Sequence, residues 1–247
     1  MERGHRIEVP PHGAVTLIDY MGSDEMVIGA ARMSTGRGFE GWEQGKICRK
    51  CRRRAEDLQQ EFIQGFISCD HDMVETPGDA KLLSFLYEHD HASPFGVAGA
   101  IQIEVSAPIF VFREWHRHRT QLVLTDDTGD VTESEINEFS ARYAQMPDIH
   151  WLPALERVVR QSKVNKQGGA EPIEKDKAAL VIEVMRREQE DGYASYQAWI
   201  NEVGIAKEVA RLNTPVSRYS KMRTTATLRN WLMFLQLRMA PSAQQEI

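Results

Sequence analysis

The 247-residue chain has little or none of several features that would point directly to a function class. No apolar stretch approaches the roughly 18 residues that a membrane span requires, and the segment before Pro11 has no apolar signal core. Three cysteines are too few, and odd in number, for a disulfide framework. A formal net charge of −6 is unfavourable for a general nucleic-acid binder, whose affinity comes from neutralising phosphates. We therefore expect a cytoplasmic protein with neither a membrane nor a nucleic acid as partner.

Hydrophobic patterning predicts an α+β fold with a mainly antiparallel sheet flanked by helices. Strand-like alternation occurs in Val15 to Tyr20, Ala100 to Val105 and, more loosely, Arg218 to Ala226. Residues 36–77 have no clear pattern apart from a short helical stretch from Glu56, and residues 120–135 read as a loop with a turn at 126–129. The expected helices are Ser23 to Met33, Asp79 to His89, Pro108 to Arg119, Ile173 to Val203, Ile205 to Leu212 and Leu228 to Arg238. No composition break divides the chain, so a single domain over 1–247 is predicted.

Two short stretches concentrate groups that bind anions and recognise a base. The first is Trp115-His116-Arg117-His118-Arg119. The second sets Glu138, Ser140 and Arg142 at alternating positions, which in an extended chain point to one side. Arginine side chains bind phosphates in bidentate fashion, while carboxylates and hydroxyls suit a base or a sugar. The two stretches together predict a pocket for a phosphorylated, aromatic small molecule.

The basic stretch also has a purely structural interpretation. If it ends a helix, Arg113 and Arg117 share one face while His118 and Arg119 point elsewhere, so that the cluster can serve two ligands. Arginines are equally favoured at a helix C-terminus by the helix dipole, with no ligand involved. The acceptor and donor groups downstream, from Glu138 onward, favour the ligand-binding interpretation.

The cysteines lie in a basic segment, Lys46 to Arg54, and just after it. Cys48-x-x-Cys51 followed by Cys69-x-His71 has a spacing that zinc can use, and a zinc-stapled nucleic-acid-binding segment over 46–71 is one alternative function. The Cys-x-His half is tighter than the usual zinc knuckle. Incidental thiols on a solvated basic surface are therefore preferred, and no metal ligand is predicted.

Several motifs, in chain order, make the chain resemble the flavin-dependent thymidylate synthases. The Arg-His-Arg element and the Asn137-Glu138-x-Ser140-x-Arg142-Tyr143 stretch carry the likeness most strongly. Further matching blocks are Gly29-Ala30-Ala31-Arg32-Met33-Ser34, His91-x-Ser93-Pro94-Phe95, Glu208-Val209-Ala210-Arg211, Leu228-Arg229-Asn230-Trp231 and Phe234-Leu235-x-Leu237-Arg238. The likeness extends from residue 14 to the end of the chain.

The resemblance implies a set of site residues. The FAD contacts would be Ser93, Arg117, His118, Arg119, Asn137, Glu138 and Arg229. The contacts to deoxyuridylate (dUMP) would be Glu114, Arg117, Glu138, Phe139, Ser140, Ala141, Arg142, Arg211 and Arg238. Arg238 would be the catalytic group, because a fixed guanidinium stabilises negative charge that develops on the uracil.

The resemblance also implies a reaction and an assembly. The reaction is the reductive methylation of dUMP to dTMP, with 5,10-methylenetetrahydrofolate as carbon donor and NADPH-reduced FAD as hydride source. Such enzymes are homotetramers whose active sites are built from several subunits. No metal belongs to this chemistry.

The chain departs from the family pattern in four respects. The segment between the Arg-His-Arg element and Ser140 is much longer than in the family and contains an acidic insertion near 121–133, and a second insertion lies near 36–77. Glu114 stands where a glutamine is common, and Thr227 and Met233 replace amide-bearing flavin contacts. The C-terminus at Ile247 is short. A catalytically impaired flavin- or nucleotide-binding homologue is therefore the second alternative.

Overall fold

The computed structural model describes residues 2–64, 69, 71–118, 123–125, 131–134, 136–164, 168–240 and 243–246. The strands in these ranges are β1 Arg6–Val9, β2 Gly13–Gly22, β3 Gly45–Cys48, β4 Met73–Thr76, β5 Gly99–Pro108, β6 Val123–Thr125, β7 Val131–Ser134, β8 Ile136–Glu138, β9 Val159–Gln161, β10 Gly169–Pro172 and β11 Tyr219–Thr227. The helices are α1 Asp24–Arg32, α2 Ala55–Ile63, α3 Asp79–Glu88, α4 Ala92–Val97, α5 Ile109–Trp115, α6 Lys175–Ala198, α7 Lys207–Ala210 and α8 Leu228–Arg238. The predicted α+β class, with an antiparallel sheet, flanking helices and one long helix, is confirmed.

The main sheet has five strands in the order β1-β2-β5-β11-β8. The pairs β1–β2 and β11–β8 are antiparallel, and in the second pair Met222 lies opposite Glu138. Side chains of β11 alternate between the core and solvent: Met222 and Thr224 are buried, whereas Lys221 and Arg223 are exposed. This alternation is the pattern of a strand with one face on a core. No helix of the described residues has the length and apolar character needed to cross a membrane.

Two compact units are distinguished by their internal contacts, the first formed by residues 1–19, 102–225 and 233–247. In this unit the long helix α6 packs its buried Tyr196 against Ala141 and Met146. The backbone N–H of Met146 also donates to the Tyr196 hydroxyl at 3.1 Å. Helix α6 therefore supports the segment that follows β8. The prediction of a single domain stays a prediction.

Arg218 is the largest fully buried side chain of the described residues. Its Nη1 donates to the carbonyl of Pro147 at 2.7 Å, and its guanidinium lies 4.4 Å from the ring centre of Tyr193 on α6. Its own carbonyl accepts the backbone N–H of Ile109, the first residue of α5, at 2.9 Å. One residue thus connects the start of α5, the loop at Pro147 and the long helix.

The second unit comprises residues 20–101 and 226–232. Its core contains the buried Val27 and Ile28 of α1, Leu86 of α3 and Phe95 of α4. Ser23 caps α1 as expected from sequence, because its Oγ accepts the backbone N–H of Met26 at 3.4 Å.

A buried ionic cluster holds the segment after α1. Arg32 pairs with Asp79 and, at 2.9 Å, with Glu40. The Asp79 side chain is fully buried and also accepts the backbone N–H groups of Glu40 and Gly41, at 2.6 and 3.2 Å. A buried carboxylate is tolerated only with such partners.

Four local expectations from sequence are corrected. The helix predicted from Pro108 to Arg119 is α5, which ends at Trp115, and Pro108 is its N-terminal flanking residue. The 36–77 segment is more ordered than its composition suggests, because it contains β3, α2 and β4. Residues 92–97 form the short helix α4 rather than a simple break. The described parts of the 120–135 region, β6 and β7, pair as antiparallel strands rather than forming a loop, while the expected turn at 126–129 lies outside the described residues.

Replacing Asp79 with alanine tests the ionic cluster. We expect Asp79→Ala to lower the free energy of unfolding by about 3–5 kcal/mol, because it removes the buried carboxylate that pairs with Arg32 and leaves two half-buried backbone N–H groups without their acceptor. Glu75→Ala is the matched control, since Glu75 is exposed and lies 3.8 Å from Lys46. Urea unfolding followed by tryptophan fluorescence gives both values. Equal midpoints for the two variants would show that the cluster is not stabilising.

Candidate active site

A cavity of about 360 Å³ in the first unit collects polar side chains at the end of β8. Its charged lining groups are Arg113 of α5, Glu138 of β8 and Arg211, which follows α7. Phe139, Ala141, Met146 and Ser220 complete part of the wall. Two cations and one carboxylate around an apolar wall suit an anionic ligand with a flat, hydrogen-bonding ring.

The position of Glu138 is set by strand pairing. Because Glu138 lies opposite Met222 in the antiparallel β8–β11 pair, Ser220 is its diagonal neighbour on the same face. The Ser220 hydroxyl donates to Glu138 Oε1 at 3.1 Å. The neighbouring strand therefore fixes the orientation of the carboxylate through Oε1.

The chain turns directly after Glu138, which corrects the expected extended alternation. Residues 141–143 form a turn, in which the backbone N–H of Tyr143 donates to the carbonyl of Ser140 at 3.1 Å. The Ser140 hydroxyl accepts from both the backbone N–H and Nε of Arg142 at 3.4 Å. Arg142 is exposed, and its guanidinium lies 5.3 Å from the ring centre of Tyr143. Ser140 and Arg142 are thus not a row along a strand, and neither lines the cavity. They flank Ala141, which does, and so form a polar rim next to it.

The basic stretch continues from α5 as a tight turn. The backbone N–H of Arg117 donates to Glu114 at 3.0 Å and that of His118 to Trp115 at 2.9 Å. Arg117 is exposed, and Arg119 lies outside the described residues. Since α5 ends at Trp115, the argument that Arg113 and Arg117 share a helical face does not hold.

Arg238 belongs to a second cluster, near the end of the basic turn. His118 contacts Phe234 edge-on, with ring centres 5.1 Å apart, and Trp115 contacts the same ring at 4.5 Å. Burial lowers the pKa of His118, the charge of nearby Arg238 lowers it further, and Glu114 acts in the opposite direction. Nε of Arg238 is buried and has no hydrogen-bond partner among the described residues. The unpaired donor at a site of concentrated charge makes Arg238 a candidate ligand-binding group.

The second unit brings Ser93 and Arg229 into neighbouring elements. Gly96, in the helix that contains Ser93, faces the Arg229 side chain: a Cβ at Gly96 would lie 3.6 Å from Arg229 Cδ. Arg229 is the second residue of α8, whose start is capped by the Thr227 hydroxyl, which accepts the backbone N–H of Asn230 at 3.3 Å. Both Ser93 and Arg229 are exposed. An exposed guanidinium at this position can bind a phosphate group.

The structure brings together some of the expected site residues and not others. Glu138, Phe139, Ala141 and Arg211 share the cavity, and Glu114, His118 and Arg238 share the second cluster. Asn137 is exposed in β8 and is not among the lining residues of the cavity. Sequence reasoning placed Arg113 in the basic cluster that could serve a ligand, although not among the named contacts. It assigned no role to Ser220, because the strand register that places Ser220 beside Glu138 leaves no trace in a single sequence.

A larger cavity, of about 770 Å³, lies elsewhere in the first unit. Its walls are mostly apolar, with Pro10, Pro11, Val105 and Trp151 among them. It contains none of the residues expected to bind substrate or cofactor. The larger cavity also has charged lining residues, but Arg157 and Glu246 there pair with each other at 2.6 Å. The smaller cavity is the better candidate because it holds the expected residues and an excess of positive charge.

Solved structures define the class of fold. The chain is similar to a UMP/dUMP methylase, PolB from Streptomyces cacaoi, bound with 5-Br UMP, with a TM-score of 0.64 and 27% identity over 95% of this chain and 83% of that one. The same methylase bound with 5-Br dUMP matches 98% of this chain and 87% of that one, at 28% identity and a TM-score of 0.64.

Sequence comparison then identifies the family. The chain belongs to the family described as Thymidylate synthase complementing protein, whose model matches residues 16–247. It is 34% identical over 241 residues to a flavin-dependent thymidylate synthase of Anaplasma marginale and 33% identical over 247 residues to one of Thermus thermophilus. The first match covers 98% of this chain and 66% of the relative, and the second covers 100% of this chain and 72% of the relative. For a relative from Gluconobacter oxydans, 32% identical, the chain spans 64% of the relative's length, so it is just under two thirds as long as the first relatives it matches.

The electrostatic coupling of the second cluster can be measured directly. We expect Arg238→Gln to raise the pKa of His118, because the variant removes a positive charge that disfavours the imidazolium. Glu114→Gln changes the same pKa in the other direction, since it removes the favourable negative charge. Arg223→Gln is the control, because Arg223 pairs with Glu104 on the sheet at 2.7 Å. NMR titration of His118 in the ligand-free protein gives the three values, and an unchanged pKa in Arg238→Gln would contradict the proximity.

Proposed function

We propose that the chain is a flavin-dependent thymidylate synthase, which converts dUMP to dTMP. The observation that carries the proposal is the cavity in which Arg113, Glu138 and Arg211 meet. The family membership and the likeness to a UMP/dUMP methylase support a pyrimidine nucleotide as its occupant. The net change adds one methyl group to the uracil ring, with the carbon from 5,10-methylenetetrahydrofolate and the electron pair from NADPH.

Different residues of the cavity bind different parts of the nucleotide. Arg113 and Arg211, with Arg142 at the rim, bind the phosphate, because guanidinium groups form bidentate contacts with phosphate oxygens. Glu138, oriented by Ser220, accepts a hydrogen bond from the sugar or the base. The hydroxyl of Ser140 and the backbone at Ala141 complete the polar contacts, and the ring of Phe139 provides an apolar surface.

Ser140 is a binding group in this proposal and not a nucleophile. Its hydroxyl accepts two hydrogen bonds from Arg142. Activation of a serine requires a base within hydrogen-bond reach, and in the part of the chain that the structure describes the side-chain hydrogen bonds of Ser140 include no histidine or carboxylate.

Arg238 polarises the uracil. Its buried, unpaired Nε and its proximity to His118 and Glu114 leave a guanidinium that is oriented but not neutralised by a direct ion pair in the described part of the chain. Such a group stabilises negative charge on a ring oxygen or nitrogen without reorganising. The lowered pKa of His118 keeps that imidazole neutral, so it does not compete with Arg238 for the ring.

FAD would be held by the side chains that the family resemblance implies, namely Ser93, Arg229, Arg117, His118, Arg119 and Asn137, and by the backbone near Glu138. Arg229 suits the phosphates, because its side chain is exposed and lies next to Gly96 of the helix that contains Ser93. When bound, reduced flavin supplies the hydride, and NADPH restores the reduced form. Thr227, which departs from the family pattern, caps α8 and so contributes through the position of Arg229.

The activity test uses the full chain. We expect the purified protein to show flavin absorbance, to oxidise NADPH faster when dUMP and methylenetetrahydrofolate are present, and to form dTMP detectable by mass spectrometry. A parallel reaction with UMP decides the sugar specificity. Flavin binding without dTMP formation would instead establish the impaired homologue.

A variant at Arg238 separates binding from catalysis. We expect Arg238→Ala to reduce turnover by about 100-fold or more while flavin absorbance persists, as for the loss of one preorganised charge-stabilising donor. Arg223→Ala, which removes an exposed arginine of β11, is the control for general effects of losing a guanidinium. If Arg238→Ala retains its rate, the role assigned to this residue is wrong.

A homotetramer with shared active sites is part of the proposal. On α6 the side chains of Leu180, Val181, Val184 and Met185 are all exposed and lie on adjacent turns. An exposed apolar stripe on a long helix is typical of a subunit contact. Sharing of sites between subunits explains why the expected FAD and dUMP residues are spread along the whole chain.

Charge placed on this stripe should disrupt the assembly. We expect Val184→Glu to lower the mass measured by size-exclusion chromatography with light scattering, because a carboxylate would be buried between subunits. Val164→Glu is the matched control, since Val164 is 97% exposed and lies in a turn. A tetramer that withstands Val184→Glu would exclude this stripe as the interface.

A further inference from the structure

Three cysteines and one histidine converge in the second unit, outside the candidate active site. One ligand atom each of Cys48, Cys51, Cys69 and His71 lies within 4.8 Å of every other. The Sγ atoms of Cys48 and Cys69 are 3.0 Å apart, and Cys48 Sγ is 3.7 Å from Nδ1 of His71. All three cysteines are free thiols.

The antiparallel pairing of β3 with β4 creates this convergence. Cys48 ends β3 and lies opposite Met73 at the start of β4. The backbone N–H of Arg49 donates to the carbonyl of Asp72 at 3.0 Å, so the residues just before β4 lie beside the end of β3. Cys69 and His71 are thereby brought to Cys48 despite a separation of more than twenty residues in sequence.

A tight turn brings Cys51 to the same point. The backbone N–H of Arg52 donates to the carbonyl of Cys48 at 2.8 Å, and Arg52 adopts the left-handed conformation with a φ of 59°. The backbone N–H of Cys51 points to Cys48 Sγ, 3.2 Å away. An N–H group directed at a sulfur stabilises its thiolate and orients it as a ligand.

We propose that Cys48, Cys51, Cys69 and His71 bind one Zn²⁺ as a structural site. Three sulfurs and one imidazole nitrogen are a standard tetrahedral set for zinc, which leaves no open position for catalysis. At a Zn–S distance of about 2.3 Å, tetrahedral geometry separates neighbouring ligand atoms by about 3.8 Å, and the separations here allow that arrangement with small side-chain movements. The Cys-x-His spacing is short, and for that reason we expected incidental thiols. It is accommodated because the pairing of β3 with β4 places Cys69 and His71 beside Cys48.

The surrounding charges favour a structural role over nucleic-acid binding. Arg52 pairs with Glu40 at 3.3 Å, Arg53 with Glu61, and Arg54 with Glu56 at 3.4 Å. These arginines are engaged within the chain rather than presented to phosphates. Through Glu40, which also pairs with Arg32, the zinc segment is connected to the buried ionic cluster at Asp79. The ion thus joins the paired strands β3 and β4 to the turn before α2, and this segment is held near the end of α1.

Metal analysis of the full chain tests the proposal independently of any activity. We expect protein purified without chelator to contain about one zinc per chain by mass spectrometry of the metal, and to give the visible spectrum of tetrahedral, thiolate-bound Co²⁺ after exchange. All three thiols should become reactive together when a chelator removes the ion. A chain that carries far less zinc than this and gives no such cobalt spectrum overturns the proposal, as does a Cys48–Cys69 disulfide found by peptide mapping.

Two variants and a control assign the ligands. We expect Cys51→Ser, at an exposed position that tolerates serine, and His71→Gln to weaken zinc affinity at least about 100-fold in chelator competition. His5→Gln, at an exposed histidine of the first unit, should keep the affinity of the unmodified chain. Unchanged affinity in Cys51→Ser and His71→Gln would refute the assignment. The cobalt spectrum of the unmodified chain decides the question even if a variant does not fold.

Discussion

The three-residue pairing of β8 with β11 is the constraint on which the candidate active site depends. It puts Glu138 opposite Met222 and therefore beside Ser220, and the chain turns immediately afterwards to form the rim at Ser140 and Arg142. A register shift of one residue would move Glu138 to the other face of the sheet, since side chains alternate along a strand. The long helix α6 maintains this arrangement from behind, because its Tyr196 packs against the same turn.

Charge at the site is arranged differently from charge in the rest of the molecule. Several arginines elsewhere are paired with carboxylates, as in the buried cluster of Arg32 with Asp79 and Glu40. At the cavity Arg113 and Arg211 outnumber the single carboxylate, and in the second cluster Arg238 has a buried donor without a hydrogen-bond partner among the described residues. A chain with a net charge of −6 thus keeps a local cationic region, which attracts anionic groups to the cavity.

Sequence reasoning predicted the elements well and their ends and neighbours less well. The strands near 15–20 and 100–105 and the long helix were expected because alternation and helical periodicity are local properties. The end of α5 at Trp115 was missed, since the following His-Arg residues are compatible with a helix and the chain continues as a similar tight turn. Ser220 could not be found, and the convergence of Cys69 with Cys48 was only the less favoured alternative, because both depend on strand register, which is a relation between distant segments.

Arg218 has a consequence for how natural variation in this family should be interpreted. The residue lines neither cavity, yet its carbonyl holds the first residue of α5 and its guanidinium holds the Pro147 loop against Tyr193. Its Nε and Nη2 atoms are buried without hydrogen-bond partners in the described part of the chain, so a lysine could not reproduce the flat stacking that makes this burial tolerable. In a mutational survey, a substitution of Arg218 would reduce activity as the loss of a ligand contact does. The cause would instead be that α5 and the Pro147 loop lose the residue that positions them.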